Sequence, residues 1–412
     1  MPVDFNRVPP RVAVPPAPQP SKPVWGVLLL VVMCAGAALI IFLWPAGWPT
    51  NTAWFWVCVI GYPLLAWGFM LVSWLGYGYV CRNGAIATNR VSDEAEQARH
   101  AVASRPLAIL GHAWCFSSND AENALQGVSD GSVRAEPRPS RAVPNRDVNA
   151  RWIEIPDQPV PAGNALEEHL RHDAVCKWLL HRLVSGIAEQ LRALPARTSL
   201  QVELYVHSKL KLAVVQQHLQ EALIGKTRRL RVRFVSGDEA VSLFRADAWM
   251  DSRNPEVAHL LVAIELRNAV SKVLTDSVAE AGVALLVGHP RFAQGAVRSP
   301  LRLHRPAKGS QEAIATTLGL AARWGHTAIE RVCAVWIHGV SSEHAGEIRH
   351  SAQLAEQTRW MTLENSVGDC SGAGAWLAVA LAAANAELTG EPQLVLNQEG
   401  DELVALVCGK QT

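Results

Sequence analysis

Two long stretches without a charged residue lie near the N-terminus, and they constrain the fold more than any other feature. The first runs from Val24 to Trp44 (VWGVLLLVVMCAGAALIIFLW) and the second from Trp54 to Leu75 (WFWVCVIGYPLLAWGFMLVSWL). About 20 apolar residues are enough to cross the hydrocarbon core of a bilayer as a helix. Pro63, inside the second stretch, is compatible with a membrane helix. The sequence therefore predicts a two-helix transmembrane hairpin, with a lipid bilayer as one partner.

Basic residues flank this predicted hairpin, and the loop between its two stretches has none. They are Arg7, Arg11 and Lys22 before the first stretch, and Arg82, Arg90, Arg99 and Arg105 after the second. Because Lys and Arg concentrate on the cytoplasmic side of membrane proteins, we expect both termini in the cytoplasm. A cleaved signal peptide is the alternative for the first stretch. A second apolar stretch follows it at once, which favours the hairpin.

The composition of the remaining chain changes along its length and predicts further regions. Residues 1–23 are rich in proline and predict a disordered cytoplasmic tail, and residues 83–105 predict a juxtamembrane helix or linker. From residue 106 to residue 412, apolar strand-like runs such as EVAHLLVAIEL alternate with helical segments such as LKLAVVQQHLQEALIG. This alternation predicts one cytoplasmic domain of the α/β class, with layered α/β/α architecture. The long Ala-rich segment GAGAWLAVALAAANAEL predicts a packed central helix of that domain.

Charge and cysteine content exclude several classes of function. The chain has 38 Lys and Arg against 37 Asp and Glu, so its balance gives no reason to expect a nucleic-acid partner. The eight cysteines are scattered and do not have the spacing of a disulfide framework. His344, Glu347 and His350 could share a helix face, but without an HExxH pattern they predict a solvated face. We therefore expect no cofactor and no metal site.

Three segments carry a resemblance to a known family. The segment VWIHGVSSEHAGE, from Val335 to Glu347, resembles the HGT loop of β-ketoacyl synthases, and NSVGDCSGAGAWLAVALAAA resembles the glycine-rich helix start that follows it in those enzymes. Upstream, VRFVSGDEAVSLFRADAWM followed by HLLVAIEL resembles the strand, nucleophile turn, helix and next strand of their N-terminal half. The order of these segments along the chain and the spacing between them agree with those of β-ketoacyl synthases. The resemblance covers roughly Arg105 to Gly409 and implies a thiolase-like domain.

The chain departs from the chemistry of the resembled family at two positions. In that family a cysteine at a helix start is acylated, and two histidines stabilise the developing negative charge. Here the matching turn contains Gly237 and Asp238 instead of a cysteine, and Asp369 matches the second histidine. Only His338 is kept, and Cys370 is a weak candidate for a displaced nucleophile. The degenerate site formed by Gly237, Asp238, His338 and Asp369 predicts a domain that is not an enzyme and has no catalytic residue.

A thiolase-like domain that lacks its nucleophile resembles accessory and adaptor proteins of bacterial type VI secretion, some of which have N-terminal membrane segments. That resemblance implies a non-catalytic adaptor at the bacterial inner membrane, which binds an effector or another secretion protein. One alternative is a membrane-bound acyltransferase or condensing enzyme that acts on acyl thioesters through His338 with Cys370 or another thiol. Another is a purely structural membrane component. The resembled fold is commonly dimeric, so a homodimer is a further alternative.

Arginines alternate along one predicted strand of the domain. Arg229, Arg231 and Arg233 would share one face, because side chains alternate between the two sides of a strand. Leu230, with the other apolar residues of this segment, would face the opposite way. The pattern predicts a solvated edge that could bind an acidic protein partner.

Overall fold

The computed structural model describes residues 7–156, 158, 160–227, 230–235, 242–252, 254–293, 301–352 and 354–410. The chain forms two compact units. One comprises Val3–His100, and the other comprises Ala101–Thr412 together with Met1–Pro2.

The N-terminal unit consists of two long helices. Helix α1 is Lys22–Leu43, and the second helical segment consists of α2 (Ala53–Trp56), a π-helical turn (Val57–Gly61) and α3 (Tyr62–Ala103). The π-helical turn lies directly before Pro63, which has no backbone N–H to donate to the preceding turn. The predicted juxtamembrane helix at 83–105 lies almost wholly within α3. Both helices are long and apolar enough to cross a membrane by length and composition.

Close packing fixes the two helices antiparallel to each other. A Cβ added at Gly36 would lie 2.3 Å from the Pro63 side chain, so the glycine allows the helices to approach there. Near one end, the Trp25 and Trp74 rings have centroids 5.7 Å apart, and Trp67 Nε1 donates to the Trp25 carbonyl at 3.1 Å. The small residue at the crossing is typical of helix pairs in membranes.

The C-terminal unit is a mixed α/β domain. Its strands are β1 Leu107–Cys115, β2 Arg138–Pro139, β3 Asp147–Val148, β4 Ser199–His207, β5 Arg231–Val235, β6 Val257–Glu265, β7 Ala281–Gly288, β8 Leu301–Leu303, β9 Ala307–Ser310, β10 Ala334–His338, β11 Arg359–Thr362, β12 Gln393–Glu399 and β13 Glu402–Lys410. Its helices are α4 Leu125–Ser129, α5 Ala165–Gly186, α6 Ala188–Ala193, α7 Leu212–Leu223, α8 Arg245–Asp251, α9 Ile314–Trp324, α10 Ser342–Ser351, α11 Leu363–Ser366 and α12 Ser371–Thr389.

The main sheet contains the same strand arrangement twice. One half has the order β5-β4-β6-β7-β1, and the other has the order β11-β10-β12-β13 with β9 paired to β13. In each half three neighbouring strands are parallel and the fourth is antiparallel to the third. In chain order, each half also has a helix after the first of its three parallel strands (α7 after β4, α10 after β10). Another helix precedes the last of them (α8 before β6, α12 before β12). The chain therefore folds as two related halves.

Apolar side chains cover both faces of the sheet. On β7, Leu285 belongs to one buried cluster, which it shares with α12, and Leu286 belongs to the other, which it shares with α5. Strands buried on both faces read as continuous apolar runs in the sequence, as β6 and β7 do. The sheet thus lies between two helical layers, and the α/β prediction is confirmed.

Helix α12 is the central element of the larger cluster. Every residue from Ala373 to Ala386 is buried, and α12 contacts β6, β7, β12 and β13. A helix that is apolar all round is buried by protein or by lipid, and the surrounding strands provide the protein here. Its Ala and Gly content lets those strands approach closely. The prediction of a packed central helix is confirmed.

We expect Leu381→Ala to lower the free energy of unfolding by about 2–5 kcal/mol, because Leu381 is fully buried and truncation leaves a cavity. Leu388→Ala on the same helix is the matched control. Its side chain is 74% exposed, and we expect a change within about 0.5 kcal/mol. Chemical unfolding of the full chain in detergent measures both. Equal effects of the two substitutions would contradict the position of α12.

Candidate functional site

The predicted site residues that the structure describes lie at the carboxyl ends of parallel strands. His338 is the last residue of β10, and Asp369 and Cys370 directly precede α12. Gly237 and Asp238, predicted to stand at the turn of a lost nucleophile, lie outside the described residues. Ligand sites of open α/β sheets form at this edge, where the strands end and the helices begin.

Pairing of β10 with β12 fixes one side of the His338 ring. The two strands are in parallel register with His338 opposite Asn397, and His338 Nδ1 lies 3.1 Å from Asn397 Oδ1. The amide nitrogen of Asn397 donates to Glu399 Oε1 at 3.1 Å, which turns the amide oxygen toward the ring. Since that oxygen can only accept, His338 Nδ1 carries the hydrogen.

The other ring nitrogen of His338 is buried and faces two carboxylates. His338 Nε2 lies 3.8 Å from Asp369 Oδ1 and 3.9 Å from Glu364 Oε1, and it has no hydrogen-bond partner among the described residues. Its side chain is only 7% exposed. The two oxygens are near enough for strong charge interaction with an imidazolium, and the nitrogen keeps its hydrogen-bonding capacity for a ligand.

Two glycines explain why the imidazole fits at this position. A Cβ added at Gly374, in the first turn of α12, would lie 2.1 Å from His338 Nε2. Gly339 has φ +70, in the left-handed region that glycine adopts without strain, and its N–H donates to Glu364 Oε1 at 2.6 Å. The His-Gly dipeptide and the glycine-rich helix start therefore have local structural reasons.

Charge interactions favour the protonated form of His338. Burial lowers the pKa of the imidazole, but Asp369, Glu364 and Asn397 together outweigh burial and raise the pKa above its ordinary value. The pKa of Asp369 is lowered, chiefly by its interaction with His338. The site can therefore present a buried imidazolium, which suits stabilisation of developing negative charge on a carbonyl oxygen.

A chain of hydrogen bonds connects this histidine to the N-terminal half of the domain. Glu399 accepts from Asn397 and, through Oε2, from Ser242 Oγ at 2.5 Å; it also accepts from the Leu243 N–H at 2.9 Å. Ser242 directly precedes the segment that forms α8. The carboxylate thus fixes Asn397 and, through it, the hydrogen-bonding state of His338. No motif in the sequence identified Ser242, Asn397 or Glu399.

Further charged groups lie on the opposite side of Asp369. Arg267 Nη2 is 3.8 Å from Asp369 Oδ2 and donates to Ser371 Oγ at 2.5 Å. Ser371 has φ +42, and its N–H donates to Asp369 Oδ1 at 2.7 Å. Glu265 Oε1 lies 3.3 Å from Arg267 Nη1 and 2.6 Å from His207 Nδ1. The sequence-based prediction missed these residues, although His207 and Glu265 both end apolar strand runs.

Cys370 is placed in the core of the domain. Its side chain is fully buried, and its Sγ contacts the Gly368 carbonyl oxygen at 3.5 Å. Burial and the nearby Asp369 carboxylate raise the pKa of this thiol far above its ordinary value. A thiol acts as a nucleophile only as the thiolate, so this cysteine is not in an environment that activates it.

The predicted arginine surface lies on β5, which is at one end of the described strand order. Arg231 and Arg233 are exposed on this strand, as is Val232 between them. Arg229 lies outside the described residues.

Comparisons with known proteins give solved structures but no family. No protein-family profile matches the chain, and no curated protein matches it. Similar solved structures include cerulenin-bound OleA from Xanthomonas campestris, at 12% identity and a TM-score of 0.44, covering 74% of this chain and 97% of that one. The acetamide-bound form has 13% identity and a TM-score of 0.44, covering 74% and 99%. A serine variant with lauric acid and lauroyl-CoA has 11% identity and a TM-score of 0.42, covering 74% and 99%.

These structures correct one prediction. The prediction that the domain is not an enzyme is contradicted by the similar structures, which are of OleA with cerulenin, with acetamide, or with lauric acid and lauroyl-CoA. That prediction depended on the absence of a cysteine from the turn that contains Gly237 and Asp238. At 11–13% identity and TM-scores of 0.42–0.44, these structures assign no family to the chain. They give no support to a type VI secretion adaptor.

We expect His338 to make stability depend on pH above about 6.5, its ordinary value in the unfolded chain. Because its pKa is raised in the folded state, its contribution is fully present below its unfolded value of about 6.5 and is lost as the pH rises through the folded value. The melting temperature of the wild type relative to His338→Gln should therefore fall as the pH rises. His181→Gln, at an exposed position of α5, is the control and should leave the pH profile unchanged.

Proposed function

We propose that the C-terminal unit is an enzyme that acts on acyl thioesters, and that the N-terminal helices anchor it to a membrane. The observation that carries this proposal is the buried His338, whose Nε2 is free of hydrogen bonds to the described residues while neighbouring carboxylates favour its protonated form. The acyl-thioester substrate class comes from the resemblance of the His338 loop and the α12 start to those of β-ketoacyl synthases. The duplicated α/β architecture is consistent with that resemblance.

In the proposed reaction, the thioester carbonyl oxygen accepts a hydrogen bond from His338 Nε2. Attack on the carbonyl carbon moves negative charge onto that oxygen, and a buried imidazolium stabilises such charge better than water does. Asn397 holds the ring from its other nitrogen, so the donor is oriented before the substrate arrives. Asp369 and Glu364 supply the compensating charge that keeps the imidazole protonated.

This chemistry does not require an acylated cysteine. Stabilisation of the oxyanion accelerates attack by any nucleophile that reaches the carbonyl carbon, and direct transfer to an acceptor is one such reaction. Cys370 is excluded as the nucleophile by its burial and its raised pKa. We therefore assign the acyl transfer to direct attack by the acceptor.

The two N-terminal helices support a membrane location for this chemistry. Their apolar lengths suffice to cross a bilayer, and the basic residues on either side of the hairpin favour cytoplasmic termini. The proposal places the domain on the cytoplasmic side of a bacterial inner membrane. Acyl groups of membrane lipids would then be close to the site as donors or acceptors.

A protein partner is a separate part of the proposal, based on β5. Within the described strands β5 pairs with β4 alone, so its other edge is open for contacts. The exposed Arg231 and Arg233 side chains disfavour pairing of this edge with a second copy of itself, because like charges would meet. They favour an acidic protein surface instead.

The enzyme proposal predicts that the full chain in detergent consumes octanoyl-CoA when malonyl-CoA and bacterial lipid vesicles are supplied as acceptors. We expect His338→Gln to lower kcat by about 10²–10³-fold, because it removes a charged oxyanion donor. Gly374→Ala should give a similar loss, since its Cβ would displace the ring. Mass spectrometry of the thioester and its products measures both.

Gly346→Ala is the matched control, because a Cβ there meets nothing within 4 Å. It should retain full activity. Failure of the wild-type chain to bind octanoyl-CoA in equilibrium dialysis would refute the enzyme proposal.

The membrane proposal predicts the response of reporter fusions. A reporter fused after Thr412 should be active only in its cytoplasmic form, and one inserted between Pro49 and Thr52 only in its periplasmic form. Reversed signals would show that the orientation is opposite, and two cytoplasmic signals would show that the helices do not span the membrane.

The partner proposal predicts that Arg231→Glu together with Arg233→Glu reduces the recovery of acidic proteins with the chain from solubilised membranes. The reduction should shrink at high salt, because exposed charges are screened. Arg192→Glu, on an exposed position of α6, is the control. Unchanged recovery with the double variant would rule out this edge as the binding surface.

A further inference from the structure

The duplicated halves place a second histidine at the position that corresponds to His338. His207 is the last residue of β4, and parallel register sets it opposite Glu265, the last residue of β6. In the other half, β10 and β12 set His338 opposite Asn397 in the same way. In both halves Nδ1 of the histidine is bound to an oxygen of its neighbour. The same backbone geometry therefore orients both rings.

The environment of His207 is opposite to that of His338. Its side chain is 61% exposed, whereas Glu265, whose Oε1 lies 2.6 Å from His207 Nδ1, is 1% exposed. A buried carboxylate that holds one imidazole nitrogen fixes the tautomer with the other nitrogen free to accept a proton. Glu265 Oε2 has no hydrogen-bond partner among the described residues. Burial raises the pKa of Glu265, although Arg267 and His207 oppose this shift.

His207 lies on the wall of a cavity of ≈ 290 Å³ whose lining, among the described residues, includes three cationic side chains and no acidic one. The charged and titratable side chains that face this cavity are His172, His207, Lys209, Arg267 and Lys272. Buried Glu265 lies behind His207, and half-buried Tyr205 precedes it by two residues on β4. A cationic cavity stabilises negative charge that develops on a substrate.

Arg267 connects this cavity to the site of His338. It lines the cavity, and its Nη2 donates to Ser371 Oγ at the start of α12 and lies 3.8 Å from Asp369 Oδ2. Asp369 Oδ1 is in turn 3.8 Å from His338 Nε2. The two histidines thus lie on opposite sides of one arginine–aspartate pair, with the exposed histidine toward the open cavity.

We propose that His207, oriented by Glu265, is a general base that activates water for hydrolysis of the acyl thioester. This inference rests on the proposed function of the domain, since it takes the same acyl-thioester substrate. The water oxygen attacks the thioester carbonyl carbon, and its proton passes to His207 Nε2. The carbonyl oxygen becomes an oxyanion that the cationic side chains lining the cavity, Lys209 and Arg267, stabilise. When the carbon–sulfur bond breaks, the leaving thiolate takes the proton from His207. The products are a carboxylic acid and a thiol.

The exposure of the His207 side chain favours water as the nucleophile. An imidazole that is 61% exposed is reached by solvent without any rearrangement, whereas a fully enclosed base would select a bound acceptor. The cationic lining also suits the carboxylate product. No oxidant, reductant or further co-reactant is needed, since water and the thioester supply every atom of the products.

The test uses the full chain in detergent with octanoyl-CoA and no acceptor other than water, and it measures release of free CoA thiol. We expect His207→Gln to lower kcat by about 10²-fold or more with little change in KM, because it removes the base and leaves binding intact. The rise of the wild-type rate with pH, which reports deprotonation of the base, should be absent from this variant. Glu265→Gln keeps the side-chain shape and should also lower kcat.

The control is His181→Gln on the exposed face of α5, which should match the wild type. Hydrolysis by His207→Gln at the wild-type rate and pH profile would overturn the inference. Binding of octanoyl-CoA to the wild type, with consumption only when malonyl-CoA or lipid is present, would overturn it as well and leave the proposed function standing. Absence of octanoyl-CoA binding to the wild type would overturn both.

Discussion

The carboxylate of Asp369 joins the charged groups of both halves of the domain at the start of α12. One oxygen lies near His338 Nε2 and accepts the N–H of Ser371, and the other faces Arg267. The Asp369 side chain is 47% exposed, so solvent screens part of these charge interactions. The positive φ of Ser371 is held by the same contacts. The protonation of His338, the position of Arg267 and the first turn of α12 therefore share this one side chain as a partner.

Duplication of the half-domain explains why two histidines have the same backbone position and different chemistry. His207 and His338 both end the middle one of the three parallel strands of their half, opposite the end of the neighbouring strand. Opposite His338 the partner is a neutral amide and the ring is buried, so nearby carboxylates decide its protonation. Opposite His207 the partner is a buried carboxylate and the ring is exposed. Burial and the identity of one neighbour thus distinguish the proposed hydrogen-bond donor, His338, from the proposed general base, His207.

Much of the fold could be predicted from the sequence because the signals are local. The apolar runs of β6 and β7 and the Ala-rich α12 stand out without any partner being known, and the His-Gly step at 338 and 339 marks a strand end that requires a positive φ. The pairing of His207 with Glu265 could not be predicted in this way. It depends on the register between β4 and β6, whose paired residues are 58 positions apart. Asn397 and Glu399 were missed for the same reason.

The prediction of a non-enzyme shows where local reasoning about chemistry fails. It treated the cysteine as the source of catalysis, and its absence from one turn as the loss of function. In acyl transfer the covalent nucleophile divides the reaction into two steps, but stabilisation of the oxyanion acts on every step and retains a large rate enhancement when the nucleophile is removed. In the proposed reaction His338 is on the oxyanion side of that division, and its environment favours the protonated form. Under this proposal, the absence of a cysteine changes the nucleophile and leaves the stabilisation of the oxyanion in place.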